Sequence, residues 1–419
     1  MKVKSFFTFA TSAVLLSGAL SGCSSDTITS ETQLPADYRD IKFSPALAAV
    51  AESQNDFSAK FFSEIAELEA DSTRNLMVSP LSAGMGLSML ANTVDNATSS
   101  DLLNLLGQSD LDALNSYNAT LLKSLPVANG STTLSLANMV WVTDRVSIPE
   151  SYTMMFYETF GDYPAALNFS NKDKAQKVID SWCADRTQGL IKNICTDNVT
   201  NMQIMFANAL YFTSTWDKPF DSDETKTEPF TTTSGIKKVP MMNGEFVVDA
   251  LDIPGASSIK LYFHDKRYAI TLILPDDGES AIDLAKDTNR LKSILTSDYG
   301  MKLYKLKIPK FSVGGYFKMY NYINEFIPGF FDGMWDKCGL NTPLRDYTLV
   351  QHTKFIVNEK GAEVAAVTNT EWLSGIGGKT NKFYLDRPFI FAVTEVETGT
   401  VILTGIINDP TLEDSGFKV

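Results

Sequence analysis

The stretch from Glu359 to Thr370 constrains the fold more than any other, because it is patterned as a strand and placed as a loop. It starts at a flexible Gly361 and then alternates. Ala362, Val364, Ala366, Thr368 and Thr370 fall on one face, all small or modest in size. Glu363, Asn369 and Glu371 fall on the other, with Ala365 and Val367 between them. Such alternation marks a strand with one buried face. The next residues, Trp372-Leu373-Ser374-Gly375-Ile376-Gly377-Gly378-Lys379-Thr380, hold three glycines within four positions and read as a loop. Two arrangements satisfy both signals. One is a segment with two states, a solvated loop first and a sheet strand later. The other is an edge strand running into a long turn.

Around this stretch the chain offers a large body. Its 419 residues, 44% of them hydrophobic, bury one large core or two ordinary ones, with no internal repeat. A net charge of -14 disfavours nucleic acid, which calls for a basic stripe. The residues also argue against an enzyme. There are only two histidines, His264 and His352, no Gly-x-Ser-x-Gly elbow and no phosphate loop. Beyond Cys23, the cysteines Cys183, Cys195 and Cys338 are odd in number and show no Cys-x-x-Cys pair, so neither a metal nor another cofactor is expected. Cys183 and Cys195 could bridge in an oxidising compartment, but free thiols are the expectation.

The elements mix. Ala46 to Glu69 carries Val50, Phe57, Phe61, Phe62, Ile65 and Leu68 at helical spacing. Met77-Val78 ends a short strand and Pro80 opens the next helix, where its missing N–H does no harm. Leu134 to Val142 reads as a strand, and Lys174 to Gln188 as a helix that Gly189 ends. Met205 to Phe212 is nearly all apolar, as in a central strand buried on both faces. Lys260 to Asp276 is a strand leading into a turn, Leu306 to Val313 is one strand held to an edge or bulge by Pro309, and Lys354 to Asn358 leads into the opening stretch. Phe383 to Asn408 adds three more. Roughly a dozen strands and seven or more helices in a non-repeating order are α+β in class.

The N-terminus reads as targeting rather than structure. Lys2 and Lys4 precede an apolar run, Phe6 to Leu20, too short to span a bilayer. Leu20-Ser21-Gly22-Cys23 looks like a bacterial lipobox, which implies removal of residues 1–22 and a lipid on Cys23. The alternative is an ordinary secretory signal with a chance cysteine. Residues 23–44 are polar and read as a tether, leaving 45–419 as one domain. The lipobox implies a bacterial outer-membrane lipoprotein facing the periplasm or the cell surface, held to the membrane by its acyl chains.

Asn358-Glu359-Lys360-Gly361-Ala362-Glu363 resembles the hinge of the serpins, the serine-protease-inhibitor superfamily. Asn75 to Ser82 with Met89 to Asn92, Asn208 to Phe212 with Trp216 and Pro219-Phe220, Ser181-Trp182 with Thr187 to Ile191, Pro309 to Phe311, Arg387 to Phe389 and Gly405 to Pro410 resemble further landmarks of that family, in order. The resemblance implies a serpin fold: a large mixed sheet, two further sheets, eight or nine helices and an exposed reactive-centre loop over about 359–382. It implies a suicide-substrate inhibitor of serine proteases, extending to cysteine proteases. The protease cleaves the loop and is acylated by it, and the hinge Glu359, Gly361, Ala362, Glu363, Val364, Ala365, Ala366 and Thr368 then enters the sheet. A strand of about 12 residues at ~3.3 Å each moves the protease roughly 40 Å. Ser79, Ser82 and Asn208 fall in the family's shutter cluster, with Gln351 where many members carry His, and Trp216 falls at the breach. Ser79 and Ser82 also read as helix-capping residues, and Trp216 as a core aromatic. Family spacing puts the cut at Gly375-Ile376. Leu373 or Trp372 before it would suit chymotrypsin- or elastase-like enzymes, and Lys379 a trypsin-like one, with Ser374 a further candidate for the bond. A monomer is expected. A non-inhibitory serpin-fold binding or scaffold lipoprotein is the alternative, favoured by the glycines after Ser374 and by Val364, larger than the Ala usual there.

Overall fold

The computed structural model describes residues 35–413 apart from 71, 72, 188, 190–198, 201 and 363–379. The first helix, Pro45–Leu68, starts where Ser44 Oγ accepts from the Leu47 N–H and Pro45 supplies a preset φ. It buries Val50, Phe57, Phe61, Phe62 and Ile65, the stripe legible in its spacing. The next helix, Pro80–Ala91, is buried along its whole length, so it must lie inside the molecule rather than on it. Its small residues explain how that is possible. A Cβ at Gly86 would come within 3.0 Å of Leu349, so the helix approaches the sheet where glycine leaves room.

Two large sheets flank this interior. In the seven-stranded one the order runs Phe311–Lys318, Tyr347–Val357, Ile204–Thr215, Thr132–Thr143 and Val127–Ala128, with Gly361–Ala362 also on Ile204–Thr215 and Ala165–Leu167 on Thr132–Thr143. Ile204–Thr215 is antiparallel to Thr132–Thr143 and parallel to Tyr347–Val357, so the sheet is mixed. The nine-stranded sheet is largely antiparallel and includes Tyr268–Pro275, Phe389–Glu395 and Val401–Ile407. The sheets meet through aromatic pairs: Phe355 stacks on Phe391 at 5.4 Å and Phe212 meets Tyr268 edge-on at 5.2 Å. On the other face of the seven-stranded sheet, helix Lys172–Arg186 packs Ala175, Ile179 and Cys183 over Trp141, Met205 and Ala207, a second and smaller core.

Some expectations change. The single strand read over Leu306–Val313 is two strands, Gly300–Pro309 and Phe311–Lys318, in different sheets. Pro309 has no N–H to give a ladder, and the chain leaves one sheet there for the other, the Lys310 N–H bonding back to Pro240 O. The helix expected over 174–188 spans Lys172–Arg186, and Gly189 (φ +77) closes it by donating to Ala184 O. Among the described residues there are eighteen strands and nine α-helices, more than pattern alone showed, because two- and three-residue strands carry no readable period. Cys183 and Cys338 are free and buried, and burial pushes their thiols up to about 12 and about 11. Cys195 lies outside the described residues.

Candidate functional site

The site begins at the top of strand Tyr347–Val357. There Asn358 to Gly361 form a tight reversal: the Asn358 N–H donates to Gly361 O (2.9 Å), the Gly361 N–H returns to Asn358 O (3.2 Å), and the Lys360 N–H donates to Asn358 Oδ1. The returning chain lies antiparallel on the central strand, with Gly361 opposite Thr215 and Ala362 opposite Ser214. Gly361 is not the flexible point its composition suggests. Its φ is +140, and a Cβ there would meet Ser214 O at 2.2 Å and Thr215 Cα at 2.6 Å. It is a packed position that admits only glycine.

Three groups hold the reversal. The Trp216 indole N–H donates to Asn358 O at 2.9 Å, and the Trp216 backbone N–H donates to Lys360 O. Trp216 is 4% exposed and its ring stacks on Phe263 at 4.7 Å, so it is a core aromatic that also bonds the reversal. Glu359 accepts from Lys310 Nζ (2.9 Å) and from the Thr225 hydroxyl (2.9 Å), while Glu359 O accepts from the Phe220 N–H. Burial opposes the Glu359 charge, but the Lys310 and Thr225 hydrogen bonds outweigh it and hold the carboxyl below its ordinary value.

Below the hinge the two parallel strands behave as two halves. Tyr347 to His352 pair with Ile204 to Ala209 in an unbroken register. Beyond His352 the described register between them ends, and Gly361–Ala362 occupies the central strand's edge at Ser214 and Thr215. The Thr213 hydroxyl donates to Ala362 O. The arrangement is a sheet closed at one end and parted at the other, with the first two residues of an antiparallel strand at the mouth.

The closed end carries a polar cluster. Asn138, Asn208 and Gln351 stand in one row across three adjacent strands, all buried. Asn208 Nδ2 donates to Asn138 Oδ1 at 2.7 Å. Gln351 reads the backbone of Ser79 in both directions: its Oε1 accepts from the Ser79 N–H (2.7 Å) and its Nε2 donates to Ser79 O (2.8 Å). Ser79 caps helix Pro80–Ala91, its Oγ accepting from the Ser82 N–H. The capping and cluster readings of Ser79 are therefore one arrangement. Ser82 Oγ and Asn208 Oδ1 are buried without a partner, an unusual pair in a packed interior.

Of the residues singled out from sequence, Ser79, Ser82, Asn208 and Gln351 come together at the closed end, and Trp216, Glu359, Gly361 and Ala362 at the mouth. Glu363, Val364, Ala365, Ala366, Thr368, Trp372, Leu373, Ser374, Gly375, Ile376, Lys379 and Cys23 lie outside the described residues. Sequence reasoning missed Asn138 and Lys310. Asn138 had a signal, a lone amide inside the apolar run Leu134 to Val142. Lys310 had none, because its partner Glu359 is far along the chain.

Comparison with known proteins agrees with this architecture. The chain is 26% identical to alpha-1-antitrypsin 1-5 of Mus musculus over 380 residues, covering 88% of this chain and 91% of that one. It is equally, 26%, identical to the probable non-inhibitory serpin-Z5 of Arabidopsis thaliana, covering 85% of this chain and 83% of that one. The solved structure of tengpin, a thermophilic serpin in its native state, superposes with a TM-score of 0.77 at 22% identity, covering 90% and 96% of the two chains. Residues 52–410 match the family described as serpin (serine protease inhibitor), so the chain belongs to the serpins, a family of protease inhibitors in general with non-inhibitory members among them.

Proposed function

We propose that the protein is a suicide-substrate inhibitor of serine endopeptidases, extending to cysteine ones. One observation carries this reading: the parallel pair Ile204–Thr215 and Tyr347–Val357 is parted at the hinge end, and Gly361–Ala362 is already antiparallel in the gap. The register continues by simple count. Val364 would fall opposite Phe212, Ala366 opposite Leu210 and Thr368 opposite Asn208, all on the face that packs the main core. That face takes small apolar groups and rejects charge, which is the pattern of this stretch. The Thr368 hydroxyl would reach the row of Asn138, Asn208 and Gln351, where Asn208 Oδ1 is an unpartnered acceptor.

The chemistry belongs to the attacking protease. Its nucleophile adds to a loop carbonyl in the Trp372 to Lys379 region, the peptide C–N bond breaks, and the new amine leaves with the C-terminal peptide. The freed segment then inserts. Ten residues beyond Ala362 would reach Trp372 opposite Ile204. At about 1 kcal/mol net per hydrogen-bonded residue, insertion yields on the order of 10 kcal/mol, comparable with a domain's whole stability. The parallel ladder from Tyr347 to His352 must open first, so the cluster at Gln351 acts as the catch.

Cleavage at Gly375-Ile376, with Leu373 and Trp372 read by a chymotrypsin- or elastase-like enzyme, fits the family spacing. We place the protein as a bacterial lipoprotein: a signal of residues 1–22, a lipid on Cys23, a tether of 23–44 and a monomeric inhibitor from 45, at the outer membrane. The test is mass spectrometry of the intact protein mixed with serine and cysteine proteases. The expected species is protease plus inhibitor less a C-terminal peptide starting near Ile376. Only nicked inhibitor with free, active protease would favour the second reading, a non-inhibitory binding protein, which the similarity to serpin-Z5 supports.

A further inference from the structure

Beside the hinge is a cavity of about 320 Å³ that the inhibitory scheme does not use. Its floor is apolar, formed by Trp216, Phe220, Phe246 and Leu261, with the Phe220 and Phe246 rings 4.8 Å apart. Phe263 covers the Trp216 indole at 4.7 Å and holds it as a fixed part of the wall.

The same cavity is lined by three amines, Lys218, Lys260 and Lys266, and two carboxylates, Asp217 and Asp249. Both carboxylates are engaged. Asp217 faces Lys266 at 3.7 Å, and Asp249 accepts the Tyr262 hydroxyl at 2.6 Å. Lys218 and Lys260 have no ion-pair partner among the described residues. Lys260 is half-buried and its Nζ rests 4.1 Å from the Tyr299 ring centre, while the Asp249 and Asp298 carboxylates act on its charge without closing an ion pair with it. A chain of net charge -14 therefore keeps, among its described residues, two amines without a direct ion pair over an apolar floor at one place. A concave apolar wall with a few placed charges is the ordinary make-up of a small-molecule site, and this volume is at the lower end of the usual ~300–1,000 Å³.

We propose that this cavity binds a small amphipathic organic anion, a flat apolar ring body carrying one carboxylate or sulfonate, with the rings against Trp216, Phe220 and Leu261 and the anion at Lys260 and Lys218. A neutral molecule of the same shape draws nothing from either amine. A small hydrophilic anion leaves the floor wet. The site stands whether or not the loop inserts, since it is complete in the intact chain.

The test is isothermal titration of the intact protein with 8-anilinonaphthalene-1-sulfonate, and with N-phenyl-1-naphthylamine, the same ring body without the charge. The expected result is one saturable site per chain for the sulfonate, with the neutral compound weaker by about tenfold or more, as a partly desolvated charge contact implies. Lys260→Met should weaken the sulfonate by about tenfold and Lys218→Met, at an exposed position, by about threefold. Val247→Trp, which fills the cavity from a half-buried wall position, should abolish binding while both the thermal midpoint and protease complex formation persist. Equal affinity for the two compounds would overturn the proposal as mere apolar adsorption. So would unchanged sulfonate affinity in Lys218→Met together with Val247→Trp, two variants that do not depend on Lys260 tolerating replacement.

Discussion

The two halves of the strand pair Ile204–Thr215 and Tyr347–Val357 differ in closure although both are written in strand-forming residues. The half from Tyr347 to His352 is zipped onto Ile204 to Ala209. The half from Thr353 to Val357 has Phe355 and Val357 equally buried, yet its described register with the central strand is absent. Propensity does not separate the halves. Their side-chain surroundings differ: along the closed ladder each strand is tied outward, Asn208 to Asn138 on the next strand and Gln351 to the Ser79 backbone, whereas the parted half is propped by the Asn358 to Gly361 reversal and its Trp216 and Glu359 contacts. Polar contacts thus mark both ends of the pair, the tied strands at one and the propped reversal at the other.

The largest effect expected on this comparison comes from charge in the gap. Thr368→Arg, opposite Asn208 on the continued register, would bury an unpaired cation on insertion, and Ala362→Arg, at a position 1% exposed in the intact chain, would push the start of the inserting strand out of the gap. Costs of about 3 kcal/mol or more turn inhibitor into substrate by roughly a hundredfold in partition. Gel analysis of the protease mixture reads this directly, and an undiminished SDS-stable complex with either variant would break the insertion scheme.

Next is the catch. Gln351→Leu leaves the Ser79 N–H buried and unpaired, while Ser79 O keeps the Ala83 N–H, a loss of about 1–3 kcal/mol to the intact form. Denaturant unfolding should show a lower midpoint, and insertion after cleavage should be faster because the closed half opens more readily. Gly361→Ala acts at the other half. Its φ of +140 and the 2.2 Å approach to Ser214 O predict about 1–3 kcal/mol of strain and release of the reversal, seen as protease sensitivity around Glu359.

The smallest effect is electrostatic. Glu359 has a depressed native carboxyl, so its pair with Lys310 contributes stability above the ordinary carboxylate range and loses it as pH falls through the depressed value. Glu359→Gln should remove about 1 kcal/mol at neutral pH and nothing at low pH, measured by unfolding at both. At the closed end Gln351 itself adds no such dependence, because an amide does not titrate where a histidine would.

Much of this was legible in the chain. The apolar stripe of the first helix, the Ser79-Pro80 helix start and the wholly apolar Met205 to Phe212 gave elements whose local rules agree with their surroundings. At the start of the alternating stretch only Gly361 and Ala362 are described, and the reason for Gly361 lay beyond sequence: the residue answers to the Ser214 backbone, which no local pattern reveals. Lys310 with Glu359 and Asn138 with Asn208 were illegible as pairs for the same reason, being joined only by the sheet. The split at Pro309 shows the converse, a local breaker whose consequence, a change of sheet, is set by distant partners.

The most direct test is thermal unfolding of the protein before and after a single cut in the Trp372 to Lys379 loop. If the gap is a vacant strand position, the nicked form gains on the order of 10 kcal/mol and melts about 10 °C or more higher. A nicked form that melts at the temperature of the intact one would contradict the claim that this sheet is held open for its own chain.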